Sequence, residues 1–247
     1  MPEAFHASWA PHYDDICWHS FADFQEDFTE FTLSELQTRL KPGCRVVDFG
    51  CGTGRLALPL ALQGFQVTGV DASEPLLEQL RWKSEELECW IEIRASRFQD
   101  FTAPQPFDAA LCLFTVISYL VDESALQAAF RSFARSLVFG GLLMLDVPRQ
   151  ELFEDFEVQS PELTRHMRFV SEGGGRYRME DSGELRTQTG SFRFSETVPV
   201  RFWPLETVLE QLHQSGFLLR ETFPEASDSY GSDYLLLQRI GDPAPRP

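Results

Sequence analysis

The sequence predicts an α/β fold: a doubly wound, mostly parallel sheet of seven strands, with a small antiparallel β insertion after strand five. Three observations predict it. Short apolar runs alternate with helix-like segments from residue 44 to residue 147. A glycine turn, Gly50-Cys51-Gly52-Thr53-Gly54, follows the first of those runs directly. From residue 149 the pattern changes to charged, alternating stretches around Gly173–Gly175.

The elements follow in order. Residues 1–41 mix acids and aromatics, and Phe21, Phe24, Phe28 and Phe31 recur at helical spacing, so this segment is expected to form a helical cap. "KPG" at 41–43 breaks that pattern, and "CRVVDFG" reads as a buried first strand. "TGRLALPLALQG" reads as a helix starting near Thr53 and closed by Gly64, despite Pro59. "FQVTGVD" is a second strand. Ser73 then stands as the N-cap and Pro75 in the first turn of a second helix. "WIEIRAS" and "FDAALCLF" are strands three and four, "DESALQAAFRSFARSL" is a helix, and "GGLLMLDV" is a turn leading into strand five. Residues 149–200 form the expected β-rich insertion, a lid over the acceptor site. "PLETVLEQLHQSG" is a late helix, and "FLLRETF" and "DYLLLQRI" are two last strands joined by a turn region over 224–232. The main domain thus comprises 42–148 and 201–240, and the tail "GDPAPRP" is expected to be unstructured.

Composition narrows the function. The 247 residues carry a formal net charge of −17, which argues against nucleic acid as partner, because that binding rests on Lys and Arg neutralising phosphates. Five cysteines lie scattered without zinc spacing, as free thiols in a reducing compartment would. The N-terminus lacks the basic-then-apolar pattern of a signal peptide, and the mostly apolar stretch 109–121 is too short to span a bilayer. These features lead us to expect a cytoplasmic monomer or homodimer without membrane attachment.

The glycine turn carries the chemistry. Glycine permits positive φ and close approach of backbone to a ligand, and a helix N-terminus after it would aim N–H groups at that ligand. Asp71 ends the second strand, where its carboxylate can accept bonds from two vicinal ribose hydroxyls; the plainer reading is a helix N-cap. Dinucleotide sites use G-x-G-x-x-G, whereas here the pattern is G-x-G-x-G preceded by Asp48. A carboxylate beside the loop repels a pyrophosphate and suits an ammonium or sulfonium.

"VVDFGCGTG" followed by "VTGVDAS" resembles motif I and the second-strand acid of the class I S-adenosylmethionine-dependent methyltransferases. The similarity covers residue 45 to about 147 and resumes at "RFWPLETVLEQLHQSGF". It implies a Rossmann-like fold whose last strand, "DYLLLQRI", is antiparallel. It implies S-adenosyl-L-methionine as cofactor, with Asp48 toward the methionine ammonium and Gly50, Cys51 and Gly52 beneath the methionine. Asp71 would take the ribose and Ala72 would lie beside adenine. Tyr13, in a tyrosine–aspartate pair of the N-terminal helix, would close over the cofactor or simply pack the helix. Leu113, ending the fourth strand, completes the expected binding set. One position departs: in "ASRFQDF" the family's adenine-binding acid is replaced by Ser96 or Arg97, leaving Arg97 and Phe98 as candidates, with Phe98 equally readable as core. Cys51 reads as a small buried residue rather than a nucleophile.

The resemblance implies methyl transfer by in-line displacement to a small molecule. Strand four continues into "LFTVISYL" without the motifs of base-modifying relatives, and the insertion's placement resembles glycine and amino-sugar N-methyltransferases, which favours an amine. Candidate groups near the methyl are Tyr13, Tyr119, His166, Tyr177 and Trp203, with Tyr13, Tyr119 and His166 as catalytic candidates. A non-catalytic cofactor-binding or partner module and a nicotinamide-dependent oxidoreductase remain as alternatives.

Overall fold

The computed structural model describes residues 5–226 and 231–243. The turn residues 227–230 and the tail residues 244–247 lie outside the described residues. Among the described residues, five α-helices, α1 to α5, and eleven strands, β1 to β11, make up the fold. Strand β1 (Arg45–Phe49) sits at the centre of a seven-stranded sheet, between β2 (Gln66–Asp71) and β4 (Phe107–Cys112). The chain runs outward from β1 through β2 to β3 (Glu92–Ala95). It then crosses back to β4 and β5 (Leu137–Pro148) on the other side, all parallel. The order of strands therefore reverses between β1 and β4, which opens a crevice at their carboxyl ends. The last two strands, β10 (Phe217–Thr222) and β11 (Ser232–Arg239), complete the sheet. β11 is antiparallel to both β5 and β10, as the sequence led us to expect.

Two apolar layers follow from the two-residue period of β1. Val47 and Phe49 face a core built with Phe130 and Phe133 of α4 (Glu123–Ser136) and Val208 and Leu212 of α5 (Leu205–Gln214). Val46 faces the opposite core, with Phe28 and Leu36 of α1 (Tyr13–Arg39), Leu60 of α2 (Ala57–Leu62) and Leu77 and Leu80 of α3 (Glu74–Glu86). Asp48 has the parity of Val46, so it points to the α1 side. A 3-10 turn, Ala7–His12, precedes α1, and α1 breaks at Phe21, where φ is −147° and ψ 27°. Beyond the break Phe24, Phe28 and Phe31 pack on the sheet, whereas Phe21 stacks on Phe156 of the insertion.

The insertion is a separate antiparallel sheet of β6 (Phe156–Gln159), β7 (Leu163–Gly173), β8 (Arg176–Thr187) and β9 (Gly190–Arg201). Its inner face reads Leu163 and Arg165 on β7, Met179, Asp181 and Leu185 on β8, and Phe194 and Val198 on β9, all buried. Two boundaries differ from expectation. α2 starts at Ala57 rather than near Thr53, because Gly52–Leu56 is used up in turns; Pro59 thereby falls in the first helical turn, where its missing N–H has no intrahelical partner to lose. β5 begins at Leu137 and takes the Gly140-Gly141 pair in as a bulge, with its register against β4 shifting between Phe107 and Ala109. Among the described residues no helix is long and apolar enough to cross a membrane.

Candidate active site

The glycine loop folds over the end of β2. The N–H groups of Gly50 and Cys51 donate to the Val70 carbonyl at 2.7 and 3.3 Å, and the Gly54 N–H closes the turn on the Cys51 carbonyl at 2.8 Å. Gly50 has φ +77°, and a Cβ there would lie 2.6 Å from Val116 Cγ2, so packing alone demands glycine. Gly52 has φ +52° and nothing within 4 Å of a Cβ position, so its free side faces open space at the crevice. Cys51 is buried, and its sulfur fills the space under Gly69; burial pushes its thiol well up, which suits a filler rather than a nucleophile. Because α2 begins late and is only six residues long, the loop N–H groups are those of turns, and the helix N-terminus expected at Thr53 is absent.

Asp71 staples this loop. One carboxylate oxygen accepts the Gly52 N–H at 2.9 Å and the other the Ser73 N–H at 2.8 Å. Burial raises its pKa, and those two N–H bonds pull it back down. Ser73 caps α3 by backbone position only: its hydroxyl makes no cap bond and is buried without a partner. Ala72 stands half-buried beside Asp71, and Leu113 is buried at the end of β4.

Two charged groups that the sequence reading missed, Arg55 and Asp146, lie around the predicted Asp48. Arg55 is packed over the Phe114 ring at 4.8 Å and the Phe28 ring at 5.2 Å, and donates to Thr29 Oγ1 at 2.8 Å. Asp48 and Asp146 share its surroundings. Burial pushes Asp48 up to about 7, with Arg55 opposing and Asp71 adding to the rise. Burial pushes Asp146 up to about 6, opposed by N–H bonds from Thr115 and by Arg55. Asp146 holds a strained loop: Phe114 and Thr115 have φ +76° and +62°, and both Asp146 oxygens accept the Thr115 N–H, at 3.1 and 3.0 Å.

The raised Asp48 pKa sets a testable sign. A folded acid that ionises harder than the unfolded one binds more protons when folded, so its contribution to stability is lost as pH rises from the unfolded value of 3.8 to about 7. Asp48→Asn removes that loss. We expect the melting temperature of the variant, relative to the wild type, to climb from pH 4 to about pH 7 in differential scanning calorimetry; a flat or falling difference contradicts the assignment.

The N-terminal segment roofs the crevice. Asp14 accepts the Thr53 hydroxyl at 2.5 Å and pairs with Lys83 of α3 at 2.7 Å, so α1 is tied to both the glycine loop and α3. Tyr13 is stacked on Trp9 with centroids 5.3 Å apart, and burial raises its pKa well above the ordinary phenol. Tyr119 ends a short 3-10 segment, Val116–Tyr119, whose first residue packs against Gly50. Its hydroxyl meets His6 Nε2 at 3.0 Å, and His6 Nδ1 lies 2.9 Å from Glu196 of β9. Arg165 and Asp181 form a buried two-bond pair on the inner face of the insertion, at 3.0 and 2.7 Å.

Other expected residues lie elsewhere. His166 occupies the face of β7 opposite Arg165, is 56% exposed, and faces Glu157 at 3.7 Å; strand alternation turns it away from the crevice side. Arg97 is turned to solvent and pairs with Asp100 at 2.5 Å. Phe98 sets its ring edge-on to Phe49 at 6.2 Å, against the α4 core. Trp203 is a core residue whose indole N–H donates to the Leu120 carbonyl at 3.0 Å. Tyr177 packs on Phe153 and accepts a bond from Gln150 at 2.6 Å.

Residues 46–141 match the model of a family described as a methyltransferase domain. The chain is 33% identical over 140 residues to a putative methyltransferase of Geobacillus sp. (strain WCH70), covering 57% of this chain and 56% of that protein. It thus spans about half the length of that curated relative. A solved S-adenosylmethionine-dependent methyltransferase from Clostridium acetobutylicum ATCC 824 has the same fold, with TM-score 0.83 at 18% identity over 94% of this chain and 99% of that one. The sugar N-methyltransferase KedS8 from Streptoalloteichus sp. ATCC 53650 also shares it, with TM-score 0.74 at 22% identity over 92% of each chain.

Proposed function

The chain belongs to the class I S-adenosylmethionine-dependent methyltransferases, and from that premise we propose that it methylates a small amine-bearing molecule. The observation that carries this reading is the glycine loop bracketed by two acids, Asp48 and Asp71, with the open side of Gly52 between them. When bound, S-adenosylmethionine supplies an electrophilic methyl on a sulfonium.

The residues fit that group. A carboxylate offers about four acceptor sites. Asp71 spends one on each backbone N–H, so both oxygens keep capacity for a vicinal diol. Asp48, held reluctant to ionise by burial, gains from an ammonium placed next to it. Gly50, Cys51 and Gly52 form the floor, with Ala72 and Leu113 as walls. Tyr13 closes from above, kept in place by the bonds of Asp14 to Thr53 and Lys83. On this reading residues 1–41 act as a cap, 149–200 as a lid, and 42–148 with 201–240 as the catalytic scaffold. Their closure excludes water and aligns the acceptor, and positioning of that kind lowers a barrier by roughly 7–11 kcal/mol.

An amine is favoured by the layout shared with the sugar N-methyltransferase. The negative chain, at −17, also draws cations. The test is a panel of amino sugars and amino acids, each paired with its hydroxyl analogue, scored by release of S-adenosylhomocysteine. Turnover with an amine and none with its hydroxyl partner is the expected result; turnover confined to hydroxyls overturns the acceptor class. Gly52→Val separates binding from folding. A side chain at that φ costs on the order of 1–2 kcal/mol, a small loss of melting temperature, because no protein atom obstructs it. The same side chain fills the cofactor's space, so affinity for S-adenosylhomocysteine is expected to fall by about 100-fold or more. A variant that melts slightly early yet binds normally contradicts the placement.

A further inference from the structure

We infer that Tyr119, His6 and Glu196 form a proton path that deprotonates the methyl acceptor, with Tyr119 meeting the acceptor and His6 and Glu196 acting behind it; this rests on the methyl-transfer reading above.

The three residues come from separate parts of the chain. His6 lies in the segment before the first 3-10 turn, Tyr119 in the loop after β4, and Glu196 on the inner face of β9. Glu196 accepts three bonds: the His6 backbone N–H at 2.7 Å, His6 Nδ1 at 2.9 Å and the Trp9 indole N–H at 3.0 Å. A carboxylate bonded at Nδ1 fixes the proton there, so Nε2 is the lone-pair nitrogen and the Tyr119 hydroxyl donates to it at 3.0 Å. Tyr119 is held in place. Phe5 stacks on it at 5.0 Å, and the strained turn before it is anchored by Asp146. Its segment also packs on the glycine loop through Val116, which meets Gly50, so Tyr119 stands three residues from that contact. The groups that face His6 are Glu196, Tyr119, Tyr13 at 5.5 Å between rings, and Asp71, whose charge acts on it from β2.

The chemistry balances without another reactant. An amine is an ammonium near neutral pH and has no lone pair to attack with. Its N–H bond breaks and the proton passes to Tyr119 Oη, while the phenol's own proton passes to His6 Nε2. The freed nitrogen pair forms the bond to the methyl carbon, and the carbon–sulfur pair stays on sulfur. The imidazolium so formed is held by Glu196, and two positive charges are present before and after.

Two measurements on the full chain test this. The first is ¹⁵N NMR of histidine-labelled protein at about pH 8, above the ordinary imidazole range. The expected result is a protonated Nδ1 and an unprotonated Nε2 for His6, with the Nε2 shift moving in Tyr119→Phe. A proton on Nε2, or a shift indifferent to Tyr119→Phe, overturns the path. The second is kinetics with the amino-sugar panel. Tyr119→Phe should lower kcat by about 10²–10⁴-fold with little change in KM, and should remove the solvent deuterium isotope effect on kcat. A purely structural network would leave that isotope effect in place, and this outcome overturns the proposal. Failure of the wild type to bind S-adenosylhomocysteine would instead sink the methyl-transfer reading. Binding without methylation of any amine in the panel would sink the path.

Discussion

Asp71→Ala is expected to abolish useful binding of S-adenosylhomocysteine, with an affinity loss of about 100- to 1,000-fold in calorimetry. Two effects add. The variant removes a charged acceptor that would serve both ribose hydroxyls, and bonds to charged groups are worth about 1.5–3 kcal/mol each. It also frees the Gly52 N–H, which Asp71 holds at 2.9 Å, and so loosens the loop that forms the floor. Asp71→Asn keeps the shape and separates the two: its amide oxygen can still accept one N–H, so it should fall between wild type and Asp71→Ala. Equal affinity in all three proteins would mean that the ligand does not reach this carboxylate.

Arg165→Leu carries the largest expected loss of stability. Arg165 and Asp181 are 4% and 1% exposed, and the guanidinium also donates to Ser20 at 3.0 Å and lies over Trp9 and Phe21. It thus joins the insertion sheet to the N-terminal segment up to the break in α1. Removing it leaves the Asp181 carboxylate buried and unpaired, a loss of about 3–5 kcal/mol. At roughly 2–4 °C per kcal/mol for a chain of this size, the melting temperature should fall by about 6–20 °C. The double variant Arg165→Met with Asp181→Leu replaces the pair by apolar groups of similar size and should recover most of that loss. A double variant as unstable as the single one would show that the pair is worth more than its packing.

Much of the fold was legible because its signals are local. The run of β1, the glycine turn and β2 lie within thirty residues, and the alternation of Val46, Val47 and Phe49 between two cores is a direct reading of strand period. The insertion was visible in its alternating pattern and its Gly173–Gly175 turn, where all three residues have positive φ. The start of α2 was misread because Thr53–Leu56 has helix-compatible composition, and only the backbone bonds of the glycine turn show that it is spent otherwise. Asp146 left a trace, an acid inside "LLMLDV", but nothing in the sequence tied it to the Thr115 N–H thirty-one residues away.

The crevice groups fall into the same two classes. Asp48, Asp71 and Tyr13 sit in or beside short motifs. His6 and Glu196 are separated by 190 residues and carry no local pattern, whereas His166, the insertion's histidine, is turned outward by strand alternation. Arg55 lies in a stretch of helix-compatible composition, although it follows the glycine turn directly and lies half-buried between two rings. Long-range electrostatic partners are made by topology, and single-sequence periodicity does not report them.

The central claim is that the crevice at the carboxyl ends of β1, β2 and β4 is built for S-adenosylmethionine. Titration calorimetry of the full chain with S-adenosylhomocysteine tests it most directly, run on the wild type and on Asp71→Ala. The account predicts one site per chain in the wild type, with the heat lost in the variant. No binding by the wild type, or binding that Asp71→Ala leaves unchanged, would contradict it.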